Sequence, residues 1–143
     1  MIQIFTIGFT KKTAEQFFVI LKENGVKKVV DIRLNNKSQL AGFAKGRDLE
    51  YFLKTICGIE YVYRPEFAPT EELLDSYQAK TIVWREYEAA FNKILTGRDL
   101  KILPGDFKDA CLLCSEPAAD KCHRRLTAEY LAARLGNARI IHL

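Results

Sequence analysis

Residues 110–125 read Ala110-Cys-Leu-Leu-Cys114-Ser-Glu116-Pro-Ala-Ala-Asp-Lys-Cys122-His-Arg-Arg125. The stretch opens with a short apolar run, typical of a buried strand, that ends at a thiol and a carboxylate. After a short connection, a thiol, an imidazole and two guanidinium groups begin a helical pattern. Three of the four cysteines and one of the two histidines lie here. This strand, loop and helix therefore predict the type of fold and the place where its chemistry is concentrated.

The composition is that of one globular domain. The chain has 143 residues, 48% of them hydrophobic and 28% charged, which suits a single core over residues 1–143. Its formal charge of +4 tolerates an anionic partner without requiring one. No apolar run approaches the roughly 18 residues of a membrane span, and no secretory signal is evident. We therefore expect a cytoplasmic location, no membrane partner and reduced thiols; the oligomeric state is not indicated.

Five short apolar segments are predicted as strands, at residues 2–7, 28–32, 59–63, 110–114 and 138–142. Helical patterns separate them: one starts at a Thr13–Gln16 capping box, one is capped by Asp48, and the last covers residues 122–134. A longer helix over residues 82–95 carries Trp84, Tyr87 and Phe91, interpreted as core residues. Such alternation implies parallel strands joined by right-handed crossovers. The predicted fold is α/β, a Rossmann-like, single-domain three-layer sandwich of about five mainly parallel strands flanked by helices.

Polar residues follow four of the predicted strands. They are Gly8 and Thr10, Asp31 and Arg33, Arg64 and Glu66, and Cys114 and Glu116. Ligands of open parallel sheets bind beyond the carboxyl ends of the strands. We therefore expect Arg33, Cys114 and Glu116 to lie around one concavity.

An anion is expected at the start of the last helix. Free N–H groups and the positive end of the helix dipole meet there with Arg124 and Arg125. The predicted binding residues for an anionic, phosphorylated or similar small molecule are Gly8, Thr10, Asp31, Arg33, Glu66, Arg124 and Arg125.

The same region predicts an enzyme. Cys114 or Cys122 would be the nucleophile, and Glu116 or His123 the acid–base group. Two thiols near one crevice also permit a redox cycle between Cys114 and Cys122. No cofactor is predicted.

Metal binding is a competing interpretation, because Cys111, Cys114, Cys122 and His123 supply four plausible zinc ligands. Two geometric arguments oppose it. Cys111 and Cys114, three apart in a strand, should point to opposite faces, with Cys111 a buried core thiol. Cys122 and His123, adjacent on a helix, should diverge by roughly 100°. We therefore predict no metal.

A nucleic-acid-binding module is the second competing interpretation. Residues 33–47 contain four basic side chains and no acidic one: Arg33, Lys37, Lys45 and Arg47. Such a loop could follow a phosphate backbone, or it could simply be solvated. The basic excess is modest for nucleic-acid binding, and no known motif for it is present.

Several motifs resemble the domain-of-unknown-function 488 family of small bacterial and archaeal proteins. They are Thr6-Ile-Gly8, Val30-Asp-Ile-Arg33, Pro65-Glu66, Ala68-Pro-Thr70, Trp84-x2-Tyr87-x3-Phe91, Leu113-Cys-Ser-Glu116, Cys122-His-Arg-Arg125 and the terminal Ile-Ile-His-Leu. The two motifs Cys-x-Glu and Cys-His-Arg are the part of this resemblance that is specific to the family. The resemblance implies a compact α/β domain with a parallel sheet and leaves the reaction open. Many members read Gly-His-Ser where this chain has Gly8-Phe9-Thr10, so Thr10 can supply only a hydroxyl.

Overall fold

In the computed structural model, which describes residues 1–37, 42–116 and 118–143, five parallel strands form one sheet. They are β1 (Ile2–Gly8), β2 (Lys28–Asp31), β3 (Glu60–Tyr63), β4 (Ala110–Cys114) and β5 (Ala138–His142). Their order across the sheet is β3-β2-β4-β1-β5, and every pairing is parallel. The predicted α/β class is confirmed, and each strand boundary lies within one residue of its predicted place.

Six α-helices accompany the strands in the described part of the chain. They are α1 (Ala14–Glu23), α2 (Gly46–Phe52), α3 (Glu71–Gln78), α4 (Trp84–Gly97), α5 (Pro104–Phe107) and α6 (His123–Leu135). A π-helical turn, Leu53–Cys57, continues α2, and 3-10 turns occupy Gly42–Ala44 and Pro65–Phe67. None of the described helices is long and apolar enough to cross a bilayer.

Side-chain capping accounts for where α1 begins but not for where α2 begins. The expected capping box starts α1: Thr13 Oγ1 accepts from the Gln16 N–H at 3.1 Å, and Gln16 Oε1 accepts from the Thr13 N–H at 2.9 Å. The predicted cap of α2 is wrong, because Lys45 is its N-cap. Asp48 lies instead in the first turn, where its carboxylate interacts favourably with the helix dipole.

The start of α6 also differs from the prediction. Cys122 is its N-cap, with extended backbone at φ −140° and ψ 142°, and the helix begins at His123. Apolar periodicity locates a helix but not its first residue, since the cap itself carries no periodic signal. This shift of one residue changes the direction of the Cys122 side chain.

Helices cover both faces of the sheet, because alternate strand residues enter two separate apolar clusters. In β4, Leu112 packs in one cluster with Leu126 of α6. Cys111 and Leu113 pack in the other with Phe17 of α1. Every residue of β4 is buried, as a central strand between two helical layers requires.

The strand order creates a topological switch between β2 and β4. From β2 the chain leaves toward β3 across the α1 and α2 face, and from β4 it leaves toward β5 across the α6 face. The two connections diverge, so a crevice opens beyond the carboxyl ends of these neighbouring strands. The Ile32 N–H, just after β2, donates to the Leu113 carbonyl of β4 at 3.2 Å and holds the two strand ends side by side.

Candidate functional site

A cavity of about 580 Å³ opens at this switch. The loops after β2 and β4 line it, together with parts of α3 and α4 and the start of α6. Five residues predicted from the sequence are in its wall: Arg33, Cys114, Glu116, Cys122 and His123. The expectation that Arg33, Cys114 and Glu116 surround one concavity is therefore confirmed.

The other six predicted site residues do not line the cavity: Gly8, Thr10, Asp31, Glu66, Arg124 and Arg125. Gly8, Asp31 and Arg124 are buried, and Thr10 is exposed. Glu66 pairs with Arg64 at 2.9 Å, and Arg125 pairs with Glu129 at 3.0 Å. Substrate binding by these six residues stays a prediction.

Arg33 is held in the wall by a buried ion pair with Asp31. Its Nε and Nη2 donate to the two carboxylate oxygens at 2.8 and 2.7 Å, with the side chains 3% and 0% exposed. The Arg33 backbone N–H also donates to Asp31 Oδ1 at 3.2 Å. The third nitrogen, Nη1, is buried without a hydrogen-bond partner among the described residues. A buried donor without a partner is costly, so this nitrogen marks a place for an acceptor.

Two residues that sequence reasoning missed complete the Asp31 network. The Tyr61 hydroxyl donates to Asp31 Oδ2 at 2.6 Å and accepts from Asn36 Nδ2 at 2.9 Å. Burial, reinforced by the hydrogen bond to Asp31, raises the pKa of Tyr61 well above its usual value. Tyr61 faces Val29 across the β2–β3 pair, a register that no local motif encodes. With Tyr61 and Arg33 both donating, the Asp31 carboxylate is fully engaged and the guanidinium is fixed in direction.

The buried side chain of Arg124 holds the β4–α6 loop in place through hydrogen bonds. It is 1% exposed, and its Nη1 donates to Cys114 Sγ at 3.5 Å and to the Glu116 carbonyl. Its Nε donates to Thr6 Oγ1 at 3.3 Å. The Glu116 carbonyl and the Arg124 guanidinium lie so close to Gly8 that a Cβ there would overlap both. Gly8 thus allows the loop to pass directly over the end of β1.

Cys114 and Cys122 bring their sulfur atoms into bonding contact in the cavity wall. Cys114 ends β4, and Cys122 reaches it because its extended N-cap backbone turns the side chain back toward the sheet. Their Cα atoms are 7.8 Å apart. A ring nitrogen of His123 and the two Sγ atoms all lie within 4.8 Å of one another.

The geometry of His123 corrects the second argument made against a metal. The predicted divergence of Cys122 and His123 assumed that both are helical, whereas only His123 is. The first argument holds, since Cys111 packs on the opposite face of β4 and takes no part. Burial raises the pKa of the Cys111 thiol well above its usual value.

The protonation of His123 follows from its surroundings. Its Nε2 lies 2.8 Å from the Ile32 carbonyl, and since a carbonyl only accepts, Nε2 carries the proton and Nδ1 the lone pair. The ring packs edge-on against Phe91 at 5.7 Å. Burial lowers the pKa of His123 to about 4, so the ring is neutral at pH 7. His123 therefore enters the site as a neutral base or ligand.

The aromatic residues of the cavity's outer wall were not predicted from the sequence as site residues. Trp84 and Tyr87, interpreted as core from their helical spacing, do join the apolar cluster, but both also line the cavity with Tyr77. Lys80 and Lys121 add exposed ammonium groups. Helical spacing identifies the inward face of α4, but only the placement of α3 and α4 reveals that this face extends past the core.

The basic side chains of residues 33–47, the basic loop, differ in burial and in pairing. Arg33 is buried and paired, whereas Lys37, Lys45 and Arg47 are exposed and lie outside the cavity lining. Residues 38–41 of this loop lie outside the described residues.

Comparison with known proteins identifies a family but no individual relative. No curated protein and no solved structure matches the chain. The model of the family described as domain of unknown function DUF488 matches residues 13–131. That span contains β2, β3 and β4, the Asp31–Arg33 pair and the whole Cys114–Cys122–His123 cluster. The chain therefore belongs to the DUF488 family.

Proposed function

We propose that the protein is an enzyme that binds an anionic substrate, carrying a phosphate or carboxylate, in the cavity between β2 and β4. The observation that carries the proposal is Arg33 Nη1, a buried guanidinium nitrogen without a partner in the described structure, on a side chain that lines the cavity. An anionic oxygen would supply the missing acceptor through a charge-assisted hydrogen bond.

The charges around the cavity support the same class of substrate. Among the described residues, three cationic side chains line it, Arg33, Lys80 and Lys121, against one carboxylate, Glu116. Asp31 neutralises part of the Arg33 charge, but its oxygens are already occupied by donors. The local field therefore favours an anion, and the two exposed lysines would draw it toward the cavity.

The reactive groups lie in the same wall. Cys114, Cys122 and His123 form one cluster, and Glu116, exposed at the cavity, is available for proton transfer. Arg124 Nη1 donates a hydrogen bond to Cys114 Sγ at 3.5 Å. An anion on Arg33 would thus lie against thiol and imidazole groups suited to covalent or metal-assisted chemistry.

Anion binding is tested with inorganic phosphate and sulfate, titrated by calorimetry and by amide chemical shifts. Arg33→Lys keeps a positive charge for Asp31 but removes the spare N–H donor. A hydrogen bond to a charged group is worth about 1.5 to 3 kcal/mol, so phosphate affinity should fall about tenfold or more. Lys121→Ala, at the exposed rim, should weaken binding less and mainly at low salt.

Lys37→Ala is the matched control, because Lys37 is exposed, basic and outside the cavity lining. It should leave phosphate affinity unchanged. If Lys37→Ala weakens binding while Arg33→Lys and Lys121→Ala do not, the anion site belongs to the basic loop. A single-stranded oligonucleotide bound through that loop would then replace the proposal with the nucleic-acid interpretation.

Turnover is tested separately with p-nitrophenyl phosphate and p-nitrophenyl sulfate. We expect the native protein to hydrolyse at least one of them, and Cys114→Ser and Cys122→Ser to abolish that activity. Cys57→Ser is the control, since Cys57 is outside the cavity lining and its thiol hydrogen-bonds to the Phe18 carbonyl at 3.8 Å. Phosphate binding without turnover of either ester would contradict the enzymatic part and leave a binding protein.

A further inference from the structure

We propose that Cys114, Cys122 and His123 bind one divalent metal ion, of the zinc type, with a fourth coordination position open to the cavity. The proposal does not depend on the anion site. It assigns the two thiols as ligands rather than as a nucleophile or a redox pair.

The first support is the convergence of three donors of the right kind. Two Sγ atoms and one imidazole nitrogen lie within 4.8 Å of one another. Thiolate and imidazole are the donors that zinc prefers, and a set of three protein ligands with one open position is the pattern of catalytic rather than structural zinc. The cluster lines the cavity, so an ion held there would face its interior.

The backbone separation of the cysteines gives the second support. Disulfides usually join Cα atoms about 4.4 to 6.8 Å apart, and above about 7 Å a bridge requires backbone movement. Cys114 and Cys122 are 7.8 Å apart at Cα, with side chains directed at one point between them. That separation is wider than disulfides usually have, and it leaves room for the two cysteines to serve as ligands of one ion.

The surroundings of the ligands give the third support. A metal-bound histidine usually donates its other ring N–H to a carbonyl or carboxylate, which fixes the tautomer. His123 does so through Nε2 to Ile32, leaving the Nδ1 lone pair for an ion. Arg124 Nη1 donates to Cys114 Sγ at 3.5 Å, the kind of hydrogen bond from outside the first coordination sphere that holds a ligand in place.

The test measures metal content and ligand identity. Protein purified under reducing conditions without chelator should hold one zinc ion per chain. After removal of zinc, added Co²⁺ should give the visible bands of a tetrahedral site and thiolate-to-cobalt charge transfer. Cys114→Ser and Cys122→Ser each remove one thiolate, so each should weaken the charge-transfer band. Cys57→Ser should keep the band at its native intensity.

His123→Ala tests the third ligand. Loss of a hydrogen-bond partner outside the first coordination sphere typically lowers metal affinity about 10- to 100-fold. Loss of a direct ligand should lower the affinity at least as much. Even if a variant fails to fold, the cobalt spectrum of the native protein shows whether thiolates bind the ion.

Two results would overturn the proposal. One is reduced native protein that takes up no stoichiometric Zn²⁺ or Co²⁺. The other is a Cys114–Cys122 disulfide, identified by peptide mass spectrometry, that persists under mild reductant. Because phosphate titration is read out independently, failure of the metal site and failure of the anion site are distinguishable.

Discussion

Gly8 is the residue on which the closeness of the β1 end and the β4–α6 loop depends. A Cβ at this position would overlap the Glu116 carbonyl oxygen and Arg124 Nη1. Backbone cannot move aside as a flexible side chain can, so the loop would have to shift. Since that loop carries Glu116 and is held by Arg124, a shift would reach the cavity wall.

Gly8→Ala should therefore lower the free energy of unfolding by about 1 to 3 kcal/mol and weaken phosphate binding. Chemical denaturation measures the first and calorimetry the second. Gly105→Ala is the matched control, because a Cβ there meets nothing within 4 Å. A native-like stability for Gly8→Ala would mean that the loop is not packed against β1 as described.

His123 makes stability depend on pH. Burial lowers its pKa in the folded protein to about 4, below the unfolded value of about 6.5. The unfolded state then binds more protons between these values, so stability is complete above pH 6.5 and is lost as the pH falls toward 4. In metal-free protein the loss between pH 7 and pH 5 should be up to about 2 kcal/mol.

Urea denaturation at several pH values measures this slope, with His123→Gln as the comparison. The variant should have a flatter profile between pH 7 and pH 5. Burial also lowers the pKa of His142, which hydrogen-bonds to Thr6 Oγ1 at 2.6 Å, so His142→Gln is measured alongside to separate its contribution. Equal slopes for native protein and His123→Gln would show that the ring is not held neutral by its surroundings.

At the scale of elements, β4 separates a structural thiol from a reactive one. Its period of two sends Cys111 to the α1 face and Cys114 toward the cavity. The N-cap conformation of Cys122 then brings a second thiol to Cys114 from the start of α6. One strand and one helix start are sufficient to build the cluster.

Cys111 should consequently resist alkylation by iodoacetamide in the folded protein. It is 0% exposed, and burial raises the pKa of its thiol, so almost no thiolate is present. Peptide mass spectrometry after native labelling should find Cys111 unmodified, and labelling in denaturant should modify it. Rapid native labelling of Cys111 would mean that the faces of β4 are assigned wrongly.

At the scale of the molecule, the sheet order decides where the site forms. The crevice exists because neighbouring strands β2 and β4 lead to connections on opposite faces. An anion bound there would contact both halves of the sheet in the folded state and neither in the unfolded chain. Binding should therefore stabilise the whole fold.

Phosphate at ten times its dissociation constant should add about 1.4 kcal/mol to the free energy of unfolding. Phosphate also stabilises proteins by exclusion from their surfaces, and Arg33→Lys keeps that nonspecific part together with at most about 0.4 kcal/mol of the specific effect if its affinity falls tenfold or more. The difference between the two proteins is most of the specific effect, obtained from denaturation with and without phosphate. An equal increment in both would place any bound phosphate away from Arg33.

The sequence by itself determined the α/β class, the five strands and the strand-end positions of Arg33, Cys114 and Glu116. Alternating apolar patterns, helix caps and turn residues are local, and local physics is written in neighbouring residues. The tertiary structure alone decided the sheet order, the Asp31–Tyr61–Asn36 network, the burial of Arg124 and the aromatic wall. These depend on contacts between residues far apart in the chain, which no local pattern encodes. The Cys114–Cys122–His123 cluster lies between the two cases: its residues were identified from sequence, but their convergence required the N-cap backbone of Cys122.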